Sequence, residues 1–198
     1  MKFTLQRLLI LLLLIPLSIG VGFGYDAVAT AVEKRQYPMP ERYALLINDQ
    51  ADAFGIPAAI LYAMVQSESD FVSDAVSEDG KVGLLQITPS RMETVYAEIF
   101  HEEIPDAGIL YDPKTNLRVG AAWISHLYQI YGVWDTVYAA WHAGTDTVNT
   151  WLADENLVND RGQPERIPDK ATAKFVSKVK KSAEMYTSLY FDAKHSES

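Results

Sequence analysis

The chain has 198 residues, 48% of them hydrophobic, and its 26 acidic against 17 basic side chains leave a formal net charge of −9. That is room for one domain plus a targeting segment, and an acidic balance without clustered Lys and Arg excludes nucleic acid and broad attraction to anionic polymers as modes of binding. The absence of cysteine excludes disulfides, thiol chemistry and attachment through a lipidated cysteine, and His101, His126, His142 and His195 lack metal-ligand spacing, so neither a metal nor another cofactor is expected.

Lys2 and Arg7 precede an uncharged, leucine-rich stretch from Leu8 to Gly24. A basic start followed by an apolar run reads as an export signal. Ala27-Val28-Ala29 supplies a small-residue cleavage site, and the length of the run also suits an uncleaved anchor with Lys2 and Arg7 left in the cytoplasm. Residues 1–29 are thus expected to be a signal peptide or a cytoplasmic-membrane anchor, and the rest of the chain to be exported, secreted or held at the membrane on its outer side. Pro38 and Pro40 mark a linker over residues 30–40.

From Glu41 the hydrophobic spacing is helical throughout. Tyr43, Leu46, Ile47, Ala51 and Phe54 predict a first helix, with Gly55 at its end. Pro57 suits the first turn of a second helix that runs through Ile60, Leu61, Met64 and Val65 to about Ser69. A glycine-containing loop follows. Thr88-Pro89 restarts a helix that ends near Phe100, with Ser90 and Glu93 as a possible capping box. Asp112-Pro113 opens a helix striped by Leu117, Ala121, Ile124, Leu127 and Tyr131, with Gly132 after it. Trp134, Val137, Tyr138 and Trp141 mark another, ended by Gly144; a short helix carries Val148, Trp151 and Leu152. A polar loop spans Asn156 to Ile167, and a last helix holds Phe175, Val176, Val179, Tyr186, Leu189 and Tyr190. The expectation is one all-α domain over residues 41–192, with 193–198 a tail.

Glu68 continues the stripe of Leu61, Met64 and Val65, because positions three and four apart share a helix face. A carboxyl group drawn toward the core in this way loses hydration, which raises its pKa and lets it act as a general acid near neutral pH. On the pattern alone, an exposed last-turn glutamate beside Ser67, Ser69 and Asp70 fits as well. In the following loop Gln86 is a lone amide among apolar neighbours, able to read sugar hydroxyl and acetamido groups. Ser77 offers a hydroxyl, and Gly80 and Gly83 allow close backbone approach to a ligand.

Glu68-Ser69, then Ala75-Val76-Ser77, then Gly83-Leu84-Leu85-Gln86-Ile87-Thr88-Pro89 resembles the soluble lytic transglycosylase domain family, whose pattern is Glu-Ser, Ala-Val-Ser, Gly-Leu-Met-Gln and Pro. Asp112-Pro113, Asn116-Leu117 and Gly120-Ala121 are similar to that family's Asn-Pro, Asn-Ile and Gly. Ala139 to Gly144 resembles its Ala-Ala-Tyr-Asn-Ala-Gly, and Glu165, Ile167-Pro168, Thr172 and Phe175-Val176 its closing motif. The resemblance implies a lysozyme-like fold and an enzyme acting on peptidoglycan glycan strands; a monomer is expected. It would cleave the MurNAc–GlcNAc β-1,4 bond through Glu68 and leave a 1,6-anhydromuramoyl end. It also implies that Ser69, Ser77, Gln86, Trp141, His142, Glu165 and Phe175 face substrate. Trp141-His142 stands where the family has Tyr-Asn, and Phe175 where it has Tyr. Trp141 can stack on a sugar or pack beneath the cleft; His142 can replace the Asn hydrogen bond or titrate near neutral pH. A hydrolase on the same fold, or a peptidoglycan-binding scaffold without turnover, are the alternatives.

Overall fold

The computed structural model of the protein describes residues 27–159 and 163–192. It divides into two units, Met1–Pro38 and Met39–Ser198. The proposed signal or anchor at Leu8–Gly24 and the tail at 193–198 lie outside the described residues. Among the described residues no helix is long and apolar enough to cross a membrane.

In the first unit, residues 27–36 are helical (α1). The expected linker over 30–40 is thus helical as far as Gln36 and irregular over 37–40. Ala27, Ala29, Ala31, Glu33, Lys34, Arg35 and Gln36 are strong or adequate helix formers. Pro38 and Pro40 stop the helix by removing donors and restricting the preceding residue.

The second unit is built of helices. Short β-bridges, Val76 with Val82, Val82 with Ile87 and Val158 with Pro164, are the extended pairings among its described residues. α2 (Glu41–Ala53) buries Tyr43, Ile47 and Ala51 along one face. α3 (Ala58–Ser69) starts after Pro57 and buries every residue from Ala59 to Val65. It is therefore a core helix rather than an amphipathic surface one. α4 (Pro89–Thr94) runs on into a wider π turn, Val95–Phe100, which ends at His101 in the left-handed region. Its cap is the Thr88 hydroxyl, which accepts from Arg91 N at 3.2 Å. The Ser90–Glu93 box does not form, because Pro89 occupies the first helical position and moves the cap back to Thr88.

A 3-10 turn, Ala107–Tyr111, is capped by Asp106 and had no marker in the hydrophobic spacing. α5 (Pro113–Tyr131) is capped by the Asp112 carboxylate and closed by Gly132 at φ 66. α6 (Trp134–Ala143) and α7 (Thr145–Leu152) meet at Gly144. α8 (Lys170–Tyr186) is capped by Asp169 and continues in a π turn, Thr187–Phe191.

α8 packs along α3 and α6, while α5 bridges α6 and α2. Leu61, Met64, Ile124, Leu127, Val137, Val179 and Tyr186 are fully buried between them, each burial favouring the fold by about 1.5–3 kcal/mol for the aliphatic side chains. The consequence for function is directional. The C-terminal ends of α3 and α6 and the N-terminal end of α8 come together, and the loop over residues 70–88 lies beside them.

Candidate active site

Glu68 sits in the last turn of α3, one turn beyond the buried Met64 and Val65. Its side chain is half-buried, and its Oε1 accepts a hydrogen bond of 2.6 Å from the indole Nε1 of Trp141, at the end of α6. Burial pushes the Glu68 carboxyl above the ordinary glutamate range. The indole hydrogen bond, Lys81, Arg91 and Lys178 pull it back, but less strongly. Desolvation therefore wins over three cations and a donor. An exposed glutamate at this position is excluded.

Trp141 is itself held from behind. Arg91, in the first turn of α4, donates from Nη2 to the Trp141 carbonyl at 3.0 Å. Its guanidinium lies 4.5 Å from the centre of the Trp141 ring and 5.9 Å from that of Trp123. A desolvated cation over an indole face is attracted by about 2 kcal/mol. On the third side, α8 is tied to the end of α3. Lys178 Nζ donates to Ser67 O at 2.9 Å and Ser182 Oγ to Gln66 Oε1 at 2.6 Å.

His142 follows Trp141 and is exposed. Its ring packs 4.9 Å from that of Phe175, centre to centre, and its Nδ1 lies 3.0 Å from Thr172 Oγ1. Partial desolvation of the ring, packed on one side, and the nearby Lys81 charge lower the His142 pKa, opposed by Asp169. The ring is thus biased toward its neutral form.

The loop holds the remaining residues, and each of them is hydrogen-bonded within the protein. Ser69 Oγ donates to Leu84 O at 2.8 Å, fastening the loop to the end of α3. Ser77 Oγ accepts from Lys81 N at 2.9 Å and donates to Asp79 Oδ1 at 2.6 Å, closing the turn around Gly80. Gln86, buried and at φ 47, donates from Nε2 to Gly83 O at 2.9 Å and to Ala75 O at 3.1 Å. All three side chains hold the loop in shape. Gly83 does not make room for a ligand. A Cβ there would run into the Asn116 amide and lie 2.9 Å from Leu110 O.

Asn116 is the pin of this arrangement. Fully buried, it accepts from Leu85 N at 2.8 Å and donates to Val82 O at 2.8 Å and Leu110 O at 3.0 Å. Its amide is satisfied on both ends, which fixes the loop to α5.

The structure therefore brings Glu68, Trp141, His142 and Phe175 together, with Lys81, Arg91 and Lys178 around them. Glu165 is placed elsewhere: it is exposed and lines a cavity of about 380 Å³ with Asp135, Ile167, Ala173, Val176 and Lys180. A larger cavity, about 560 Å³, opens at the opposite end of α3, α6 and α8, among Ile60, Trp134, Tyr138, Ala183 and Thr187. Neither cavity includes Glu68 in its wall. The protonatable buried carboxyl, not cavity size, singles out the site. Among the described residues no three His, Asp or Glu side chains lie where they could hold a metal ion. Arg91, Lys81, Lys178 and Asp169 had no motif to announce them.

Residues 45–162, more than half of the chain, match the family model described as the transglycosylase SLT domain. The soluble lytic murein transglycosylase of Escherichia coli (strain K12) is 28% identical over 158 residues, covering 76% of this chain and 24% of that protein. Among solved structures, an inactive mutant of the lytic transglycosylase Slt from Pseudomonas aeruginosa superposes with a TM-score of 0.70 at 27% identity, over 82% of this chain and 27% of that one. The 70-kDa soluble lytic transglycosylase of Escherichia coli superposes with a TM-score of 0.73 at 24% identity, over 82% and 26%. The chain thus spans about a quarter of the length of these relatives.

Proposed function

Since the chain belongs to the transglycosylase SLT domain family, we propose that it is a peptidoglycan lytic transglycosylase with Glu68 as its acid and base. Its place of action is outside the cytoplasmic membrane, reached through the N-terminal apolar segment, and it works there as a monomer on glycan strands. One observation carries this reading. Glu68 is a carboxyl group that burial keeps above its ordinary range, oriented by one indole donor.

With Oε1 accepting from Trp141, the proton of the neutral carboxyl belongs on Oε2. From there it passes to the oxygen of the MurNAc–GlcNAc β-1,4 bond as the bond from that oxygen to the muramoyl anomeric carbon breaks. The carboxylate left behind takes the proton of the muramoyl 6-hydroxyl, whose oxygen closes on the anomeric carbon. A 1,6-anhydro end and a free GlcNAc hydroxyl result, Glu68 is protonated again, and no water is consumed. The internal hydroxyl replaces the water or second carboxylate that other glycosidases need, which fits a site with one buried carboxyl. Lys81, Arg91 and Lys178 steady the carboxylate of the intermediate stage without ion-pairing to it closely enough to deprotonate the resting acid.

Digestion of purified sacculi by the wild type and by Glu68→Gln, with fragment masses measured, tests the reading. Fragments one water lighter than hydrolysis products are expected from the wild type and none from the variant. Reducing ends would make the protein a hydrolase on the same fold. Strand binding without cleavage by the wild type would make it a scaffold. Full activity of Glu68→Gln would end the proposal.

A further inference from the structure

His142 is tied at one ring nitrogen and open at the other, and the tie determines which nitrogen carries the proton. Asp169 caps α8 by accepting from Thr172 N and from Thr172 Oγ1, both at 2.7 Å and both on Oδ2. Those bonds hold the Asp169 carboxyl below the usual range, so it is ionised and can only accept. Two oxygens 2.7 Å apart with no proton between them would repel, so the single Thr172 hydroxyl proton points to Asp169. Thr172 Oγ1 then has only lone pairs to offer His142 Nδ1, 3.0 Å away. Nδ1 must donate.

We infer that the Asp169–Thr172 pair fixes His142 as its Nδ1–H tautomer, leaving a bare Nε2 at the end of α6, on the residue next to Trp141, as a hydrogen-bond acceptor for the bound glycan. The placement rests on two links. His142 follows Trp141, whose indole touches Glu68. Lys81 lies close enough to influence both Glu68 and His142. The Phe175 ring packs against the imidazole, 4.9 Å away centre to centre.

An asparagine can turn its amide to either side and so offers donor or acceptor as the ligand requires. A histidine locked in one tautomer offers an acceptor alone. His142 therefore selects an N–H or O–H: the acetamido N–H or a hydroxyl of an amino sugar, not an acetamido carbonyl. The charged groups facing the ring are Lys81 from the loop and Asp169 from the start of α8. Lys81 and burial favour the neutral ring over the opposing pull of Asp169. Acidification converts Nε2 to a donor and abolishes the match.

The identity of the ligand rests on the reaction proposed above; the tautomer does not. Nitrogen NMR of the histidine-labelled full chain reads the tautomer without ligand, and the Nδ1–H form is expected. In Glu68→Gln, which leaves strands uncut, saturation with peptide-free glycan strands is expected to move the Nε2 resonance of His142. Binding to that variant should weaken between neutral and mildly acidic pH. In the Glu68→Gln background, Thr172→Val removes the acceptor at matched volume. His142 should then shift toward the Nε2–H form, and strands should bind about fivefold more weakly, the worth of one ordinary hydrogen bond. Thr172→Ser should restore both. An Nε2–H form in the free protein sinks this inference and leaves the Glu68 reaction standing. An Nε2 resonance unmoved in the saturated protein overturns the acceptor role. A Glu68→Gln protein that binds no strand at all sinks the proposed substrate and the acceptor role together.

Discussion

Trp141 Nε1 and Glu68 Oε1 are 2.6 Å apart, and this bond works against the burial that makes Glu68 an acid. The indole stabilises the carboxylate; desolvation disfavours it more. Trp141→Phe keeps an aromatic wall, smaller by one ring, and deletes the donor. The Glu68 pKa should rise further, and the alkaline limb of the pH–rate profile should move to higher pH, since a general acid is lost as pH rises through its pKa. Loss of a charge-assisted, orienting hydrogen bond should lower kcat about tenfold. A profile unchanged in shape and position would mean the indole does not touch the titrating group.

The same balance makes Glu68 a source of instability. Its folded pKa lies above its unfolded value, so the folded state binds more protons between the two. Stability then falls as pH rises from the unfolded pKa through the folded one, and the penalty is fully present above both. Glu68→Gln keeps the shape and removes the titration. It should be more stable than the wild type by about 1 kcal/mol at neutral pH, as functional sites commonly permit. The advantage should vanish in acid below the unfolded glutamate pKa. Thermal melts of both proteins across pH measure this; an advantage constant with pH would contradict the raised pKa.

The helices were legible because their signals are local. Asp112 ahead of Pro113, Gly132 after Tyr131 and the Leu61–Met64–Val65–Glu68 stripe each lie within a few residues of what they specify. The site was legible only where a motif or stripe carried it. Arg91 reaches Trp141 across 50 residues and Lys178 reaches Ser67 across 111, and no spacing rule connects such pairs. Gln86 was visible as a lone amide in an apolar run. Its left-handed backbone and its bonds to Ala75 and Gly83 depend on how the loop folds over α5, so its bracing role was not.

That bracing is testable at Asn116. Asn116→Asp retains the acceptor for Leu85 N but turns a carboxylate toward the carbonyls of Val82 and Leu110. Lost donors and a buried charge should cost about 3–5 kcal/mol, a Tm lower by about 10 °C for a domain of this size. Gly83→Ala attacks the same junction from the loop side, through its φ of +79 and the crowding against Asn116 and Leu110. It should also lower Tm and activity together. Differential scanning calorimetry beside sacculus digestion checks both.

Arg91 supplies two things that different substitutions separate. Its charge lowers the Glu68 pKa, and its fork and planar face grip the Trp141 carbonyl and ring. Arg91→Met removes both, so Glu68 should titrate higher than in the wild type and stability should fall by about 2–3 kcal/mol. Arg91→Lys keeps the charge but not the planar fork, because an ammonium cannot stack on the indole while donating sideways to its carbonyl. It should destabilise nearly as much as Arg91→Met while leaving the pH–rate profile close to that of the wild type. Since Trp141 orients Glu68, kcat should fall in both variants with little change in KM. A KM effect without a kcat effect would place Arg91 against the substrate instead of behind Trp141.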